Sequence, residues 1–114
     1  MQPDAGDIAW VEFDPIRGTE QAGRRPALLI TNRAYHELTV RAVVCPITKT
    51  GRAWPFYVAI PLTCETRGFV LVDQVRAIDR SQRMFDIIET VSPDFLAEIR
   101  GHLAALLGIS IVQG

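Results

Sequence analysis

The sequence predicts a mainly β domain of the α+β kind, a small barrel or strongly bent antiparallel sheet closed off by one C-terminal helix. Short apolar or alternating runs bounded by Gly, Pro and Asp fill most of the chain. The period then changes after Ser92, where Leu96, Ile99, Leu103 and Leu106 recur at helical spacing. With 114 residues, 48% of them apolar, the chain has material for one core and no room for a second, so residues 1–114 are read as a single domain.

Taken in order, Ile8 to Phe13 and Pro26 to Thr31 read as two strands joined by a long polar loop. Further strands are expected over Ala42 to Ile47, Phe56 to Ile60, Phe69 to Ile78 and Asp86 to Val91. Pro46 cannot donate to a ladder, so an edge or a bulge is expected there, just ahead of Thr48. The turn from Thr48 to Trp54, with Lys49, Gly51 and Arg52, is a second exposed loop. For the helix, Ser92 is a hydroxyl N-cap, Pro93 occupies the first helical position and Gly108 is a stop. Gly101 within it costs about 1 kcal/mol relative to alanine, and either a close backbone approach or a chance glycine accounts for it equally well.

The loop between the first two strands carries the chemistry-bearing residues. Gly18 and Gly23 let the backbone turn and come near a ligand, and Arg24 and Arg25 at its end form a pair of guanidiniums suited to planar, bidentate contact with phosphate oxygens. The formal charge of −1 excludes a broad, sequence-blind coating of nucleic acid, which needs a large positive excess. Any contact with nucleic acid must be local: Arg17, Arg24, Arg25, Arg33, Lys49 and Arg52 either converge on one face or are scattered, solvated charges. Cys45 and Cys64 follow no metal or redox spacing and read as ordinary thiols of a reducing compartment. His36, expected on a surface turn, and His102, on one face of the last helix, lie near no acidic cluster, so neither a metal nor another cofactor is expected. No apolar run approaches the ~20 residues that span a bilayer, and the N-terminus lacks a targeting pattern, which predicts a cytoplasmic protein without membrane contact.

The block G-D-I-A-W-V-E-F-D-P-x-x-G-x-E-Q-A-G-x-R-P, from Gly6 to Pro26, resembles the N-terminal signature of the MazF/PemK toxins, ribosome-independent, sequence-specific endoribonucleases of type II toxin-antitoxin systems. CPIT at Cys45 to Thr48, WPFYV at Trp54 to Val58 and VDQVRAID at Val72 to Asp79 match further family segments in the family order, so the similarity covers nearly the whole chain. It implies a small, twisted antiparallel barrel of SH3-like type with a C-terminal helix, related to the CcdB gyrase poisons, and a homodimer. It also implies a cognate antitoxin whose flexible acidic tail lies over the active-site groove.

Metal-free cleavage of RNA requires the 2′-OH to lose its proton, the phosphorane charge to be stabilised and the 5′-oxygen to gain a proton. Arg25 is the expected holder of the nonbridging oxygens, being charged at any working pH. By resemblance Thr48 hydrogen-bonds the scissile phosphate and Glu20 is the loop glutamate that serves as base; Asp73 is the rival, ranked below Glu20 because Leu71 stands where a PemK-type relative has an arginine. An arginine acting as acid and base is disfavoured because a guanidinium holds its proton far above neutrality. Matching positions make Thr19, Gln21, Asn32 and Gln74 contacts of single-stranded RNA, whose base edges are open to readout. Arg24 and Lys49 add charge, and Trp54 at the loop edge offers a stacking surface. The products implied are a 2′,3′-cyclic phosphate and a 5′-hydroxyl. The alternatives are a CcdB-like gyrase poison without catalysis and a silent member that only binds antitoxin or RNA.

Overall fold

In a computed structural model, which describes residues 2–13 and 23–110 apart from the side chain of Phe85, the chain forms an antiparallel sheet with a C-terminal helix. The strands are β1 (Asp7–Glu12), β2 (Arg24–Leu29), β3 (Arg41–Thr48), β4 (Tyr57–Ala59), β5 (Phe69–Leu71), β6 (Arg76–Asp79) and β7 (Met84–Thr90). Their hydrogen-bonded order is β4-β5-β3-β2-β1-β7, with β6 also on β3. The path is open: β4 and β7 end it, so among the described residues the bent sheet is not closed into a barrel by pairing.

The single run expected from Phe69 to Ile78 is two strands. β5 and β6 lie end to end along one edge of β3, separated by a 3₁₀ turn over Val72–Gln74. Pro46 explains the break, although not as an edge or a bulge. Ile30 N–H donates to Val43 O at 2.8 Å, so odd-numbered residues of β3 bond toward β2 and even-numbered ones away from it. The Pro46 nitrogen therefore faces the other neighbour, between the last β6 pair, Val44 with Arg76, and the first β5 pair, Ile47 with Val70. The proline sits inside a central strand because no ladder bond is asked of it.

β1, β2 and β3 are apolar on both faces. On one face Ile8, Leu28, Cys45, Ile47, Val70 and Val72 meet Phe95, Ile99 and Leu103 of α3 (Pro93–Leu107). On the other, Ala9, Val11, Ala27, Leu29, Ala42 and Val44 pack with Ile78 of β6, small residues where the sheet bends over itself. Burial pushes the Cys45 thiol up to about 12, so it is a core side chain rather than a nucleophile. α3 begins and ends as predicted: Ser92 Oγ accepts from Phe95 N–H at 3.1 Å, Pro93 opens the helix, and Gly108 closes it at φ 70°. Gly101 meets nothing within 4 Å, so no close approach accounts for it.

His36 is not on a surface turn. It ends the short helix α1 (Arg33–His36) and is 2% exposed. Its Nδ1 lies 2.7 Å from Pro3 O, which can only accept, so Nδ1 carries the hydrogen and Nε2 accepts from Thr31 Oγ1 at 2.7 Å. Thr31 Oγ1 in turn accepts from Val43 N–H at 3.1 Å. The imidazole thus ties the N-terminal segment to β3, a structural task that its isolated position in the sequence did not suggest.

Candidate nucleic-acid interface

The first strand pair ends where the loop of interest begins. Glu12 stands opposite Arg24 in the register, and Arg24 Nε lies 3.9 Å from Glu12 Oε2. Arg24 and Arg25 are consecutive strand residues, so their side chains leave β2 on opposite faces while both border one groove. Arg24 shares the face of Leu28, toward α3, while Arg25 shares that of Ala27 and Leu29. Arg25 is exposed and makes no hydrogen bond or ion pair among the described residues. Glu20, Thr19 and Gln21, and with them Arg17 and Gly18, lie outside the described residues.

Thr48 closes β3 opposite Phe69. Its Oγ1 accepts from Thr50 N–H at 3.2 Å, which leaves the hydroxyl proton for an outside acceptor. The backbone there is pinned by Gly68: at φ +124° it brings the chain so close that a Cβ would lie 2.1 Å from Thr48 O. Only glycine fits that position.

Arg25 and Thr48 line one groove of about 730 Å³ together with Arg24 and Lys49. The sequence reading missed its far wall. Glu65, Thr66 and Arg67, between β4 and β5, face the groove there, and Arg67 brings the cationic residues on the lining to four, against the single acid Glu65. Glu89 of β7 holds that segment. Its Oε1 accepts from Glu65 N–H at 3.1 Å, and Oε2 accepts from Thr66 N–H and Thr66 Oγ1, both at 2.6 Å. Partial burial works to raise the Glu89 pKa, but the Thr66 hydroxyl, the two amides and the Arg67 charge together outweigh it and hold the carboxyl below its ordinary value. Arg67 is itself braced by donating to Leu62 O at 3.3 Å and to Cys64 O. The signal available in the sequence was the polar stretch Thr63 to Arg67 running into Gly68, a turn pattern with a cation at its end.

The other candidates stand apart from this groove. Asp73, exposed on the 3₁₀ turn, accepts through Oδ2 from Trp54 Nε1–H at 2.8 Å. Trp54 packs edge to face on Phe56 at 6.0 Å, and the Arg52 guanidinium lies 5.8 Å from its ring and 5.2 Å from that of Tyr57. Asn32 precedes α1, where its Oδ1 accepts from Arg100 Nη2 at 2.9 Å, and Arg33 pairs with Asp4 at 3.9 Å. Gln74 lines a smaller cleft of about 240 Å³ that also touches Arg25. The cations expected on one face therefore divide. Arg24, Arg25 and Lys49 share the groove, Arg52 stacks on aromatics, and Arg33 serves the N-terminal segment.

The family described as PemK-like, MazF-like toxin of type II toxin-antitoxin system matches residues 4–107. The chain belongs to this PemK/MazF family. Among PemK/MazF relatives, it is 37% identical over 106 residues to the endoribonuclease toxin MazF of Escherichia coli K12, covering 93% of this chain and 95% of that protein. The crystal structure of MazF from Deinococcus radiodurans superimposes with a TM-score of 0.84 at 40% identity, covering 95% of this chain and 98% of the other. MazF in a MazE-MazF crystal structure from the same organism gives 0.80 at 37% identity, covering 96% and 99%. The solved MazF structures thus share the fold of this chain, and the endoribonuclease reading is favoured over a gyrase poison.

Proposed function

We propose that this MazF/PemK-type endoribonuclease toxin cuts single-stranded RNA in the groove between Arg25 and Lys49 on one side and Thr66 and Arg67 on the other, without a metal ion, and so halts translation and growth. The observation that carries the reading is Arg25, a guanidinium with no described partner, sharing one groove with a Thr48 hydroxyl whose proton is free to donate. A phosphodiester bound there would meet a bidentate cation and a neutral donor, the pair that a developing phosphorane dianion needs.

In the proposed step, the 2′-oxygen attacks phosphorus as its proton passes to a base, and the bond from phosphorus to the 5′-oxygen breaks as that oxygen takes a proton. The products are a 2′,3′-cyclic phosphate and a 5′-hydroxyl. Glu20 is assigned as the base by resemblance. Asp73 is placed second, because its carboxylate is engaged by the Trp54 indole and lines neither cleft.

The four cations of the groove suit an acidic peptide as well as RNA, so an antitoxin tail laid along it would inhibit by occupation. The MazE-MazF complex of Deinococcus radiodurans supports an antitoxin partner. A homodimer is proposed on the same resemblance, supported by Leu107 and Ile109, which leave apolar surface exposed at the end of α3. The cytoplasm is the proposed site of action, and no helix among the described residues is long and apolar enough to cross a membrane.

The test is incubation of the purified protein, in EDTA, with a long single-stranded RNA, followed by mapping of cut sites and end groups. Discrete cuts at one short motif with 5′-hydroxyl ends are expected, and Arg25→Ala should lower the rate a hundredfold to a thousandfold, about 2.7 to 4 kcal/mol. Unaltered cutting by that variant would remove Arg25 from the mechanism, and intact RNA with the folded wild type would remove the ribonuclease reading.

A further inference from the structure

Arg67 stands between two fixed points of the groove. On its C-terminal side Gly68 packs so tightly on Thr48 O that a Cβ there would lie 2.1 Å from it. On its N-terminal side the Glu89 carboxylate accepts from Glu65 N–H at 3.1 Å and from the amide and hydroxyl of Thr66 at 2.6 Å each. Glu89 reaches that segment because β7 breaks its alternation. Ile8 pairs with Glu89 and Ala9 with Ile87, so Ile88 is the extra residue of a β-bulge. A regular strand would send neighbours such as Ile88 and Glu89 to opposite faces. Here both serve the groove side: Ile88 lines the groove and packs on the core cluster of Ile8, while Glu89 holds the far wall. We infer that Glu89 is a positioning residue for the substrate: through Thr66 it sets Arg67 as a second phosphate contact, on the strand running past the phosphate held at Arg25. The inference rests on the proposed ribonuclease reading.

The donors of Arg67 are divided in a way that suits this task. Nη1 is committed to the turn behind it, donating to Leu62 O at 3.3 Å and to Cys64 O. Nε and Nη2, which share the other edge of the guanidinium, make no hydrogen bond among the described residues, and the residue is exposed on the groove. A guanidinium fixed at one nitrogen and open along that edge presents two parallel N–H donors to phosphate oxygens. Against the pull of burial, the Thr66 hydroxyl, the two amides and the Arg67 charge keep the Glu89 carboxyl ionised, so brace and cation also attract one another. By its charge alone a carboxylate beside an RNA groove repels the strand. Its three bonds to the wall give Glu89 the opposite effect.

The two effects differ in sign, and a binding measurement separates them. The probe is a labelled single-stranded RNA that contains the mapped cut site with 2′-deoxyribose at that position, so that it binds without being cut, and the readout is fluorescence anisotropy. On charge alone Glu89→Ala should tighten binding. With the wall released it should instead weaken binding about tenfold, the low end for a charge-assisted contact, and the slope of log affinity against log salt should shrink by about 0.7, one phosphate contact on a single strand. Glu89→Gln, which fills the same space and keeps one acceptor oxygen, should fall between wild type and Glu89→Ala, and it carries the comparison if Glu89→Ala does not fold. In an Arg67→Ala background Glu89→Ala should change affinity less than about twofold. Binding equal to or tighter than wild type in the Glu89 variants, or a further full loss in the Arg67→Ala background, would overturn the inference. If the wild type cuts nothing, the proposed function falls and the uncut long RNA becomes the probe: weaker binding by Glu89→Ala then supports the brace, and equal or tighter binding rejects it.

Discussion

Replacing Glu89 by alanine should free the far wall of the groove without unfolding the domain. The carboxylate accepts three hydrogen bonds, from Glu65 N–H at 3.1 Å and from the amide and hydroxyl of Thr66 at 2.6 Å each. Bonds to a charged acceptor contribute about 1.5 kcal/mol each at the low end of their range, which taken singly would exceed 4 kcal/mol for the set. The three share one carboxylate and one short segment, and water can replace it at a half-buried site, so about 2 kcal/mol is the realistic local loss. That corresponds to roughly a thirtyfold drop in amide protection. Hydrogen exchange resolved by residue is the assay: Thr66 N–H should exchange about thirtyfold faster in Glu89→Ala, while Val70 in β5 should keep its rate. The pH dependence has a defined sign. Because the folded-state pKa is depressed below 4.5, the stabilisation is fully present above that value and is lost as pH falls through the folded value, and Glu89→Gln should remove this acid sensitivity. Unchanged exchange at Thr66 in Glu89→Ala would refute the assignment of Glu89 as the anchor of the wall.

Further expectations follow from other contacts. Gly68→Ala must push a Cβ against Thr48 O in a backbone region closed to other residues, so a loss of about 3 kcal/mol or more in urea unfolding is expected, and a wild-type midpoint would refute the close approach. Asp73→Asn keeps an acceptor for the Trp54 indole but cannot carry a proton. Retained cleavage would mark Asp73 as the positioning partner of Trp54, and a loss of a hundredfold or more with native tryptophan fluorescence would instead make it an acid or base of the reaction. Cys45, with its thiol pushed up to about 12 inside the core, should resist alkylation at pH 8 in the folded protein and react in urea, whereas half-buried Cys64 should be labelled first; equal native rates would contradict the packing.

Much of the architecture was legible because it follows from local rules. The Ser92-Pro93 start and Gly108 stop of α3 are written in residue types whose backbone preferences hold in any fold. The strand runs were legible for the same reason, since β1 to β3 are apolar on both faces and bounded by turn residues. The split of the Phe69 to Ile78 run was not, because its cause, the bare nitrogen of Pro46, lies on another strand. At the site, motif and position brought Arg25, Thr48 and Lys49 together in advance. Glu89, Thr66 and Arg67 carry no motif of their own: their association depends on β7 lying across the sheet from the segment before β5, a long-range contact that no local pattern announces. Charge alone misled on Arg33 and Arg52, since an arginine in a sequence does not disclose whether a carboxylate or an aromatic ring has already claimed it.

The nitrogen of Pro46 also bears on how the chain finds its pairing during folding. Beyond Val44 with Arg76, the next bonded place on that edge of β3 is Pro46 itself, where a continuing β6 would need a hydrogen that proline lacks. Sheets tolerate slips by two residues because such slips preserve which face is buried, so hydrophobic patterning alone does not forbid them. Here a missing atom forbids one. The ladder is halted at Val44 and the chain is obliged to leave the sheet over Val72–Gln74, so the same proline that selects the register also delivers Gln74 to the rim of the smaller cleft.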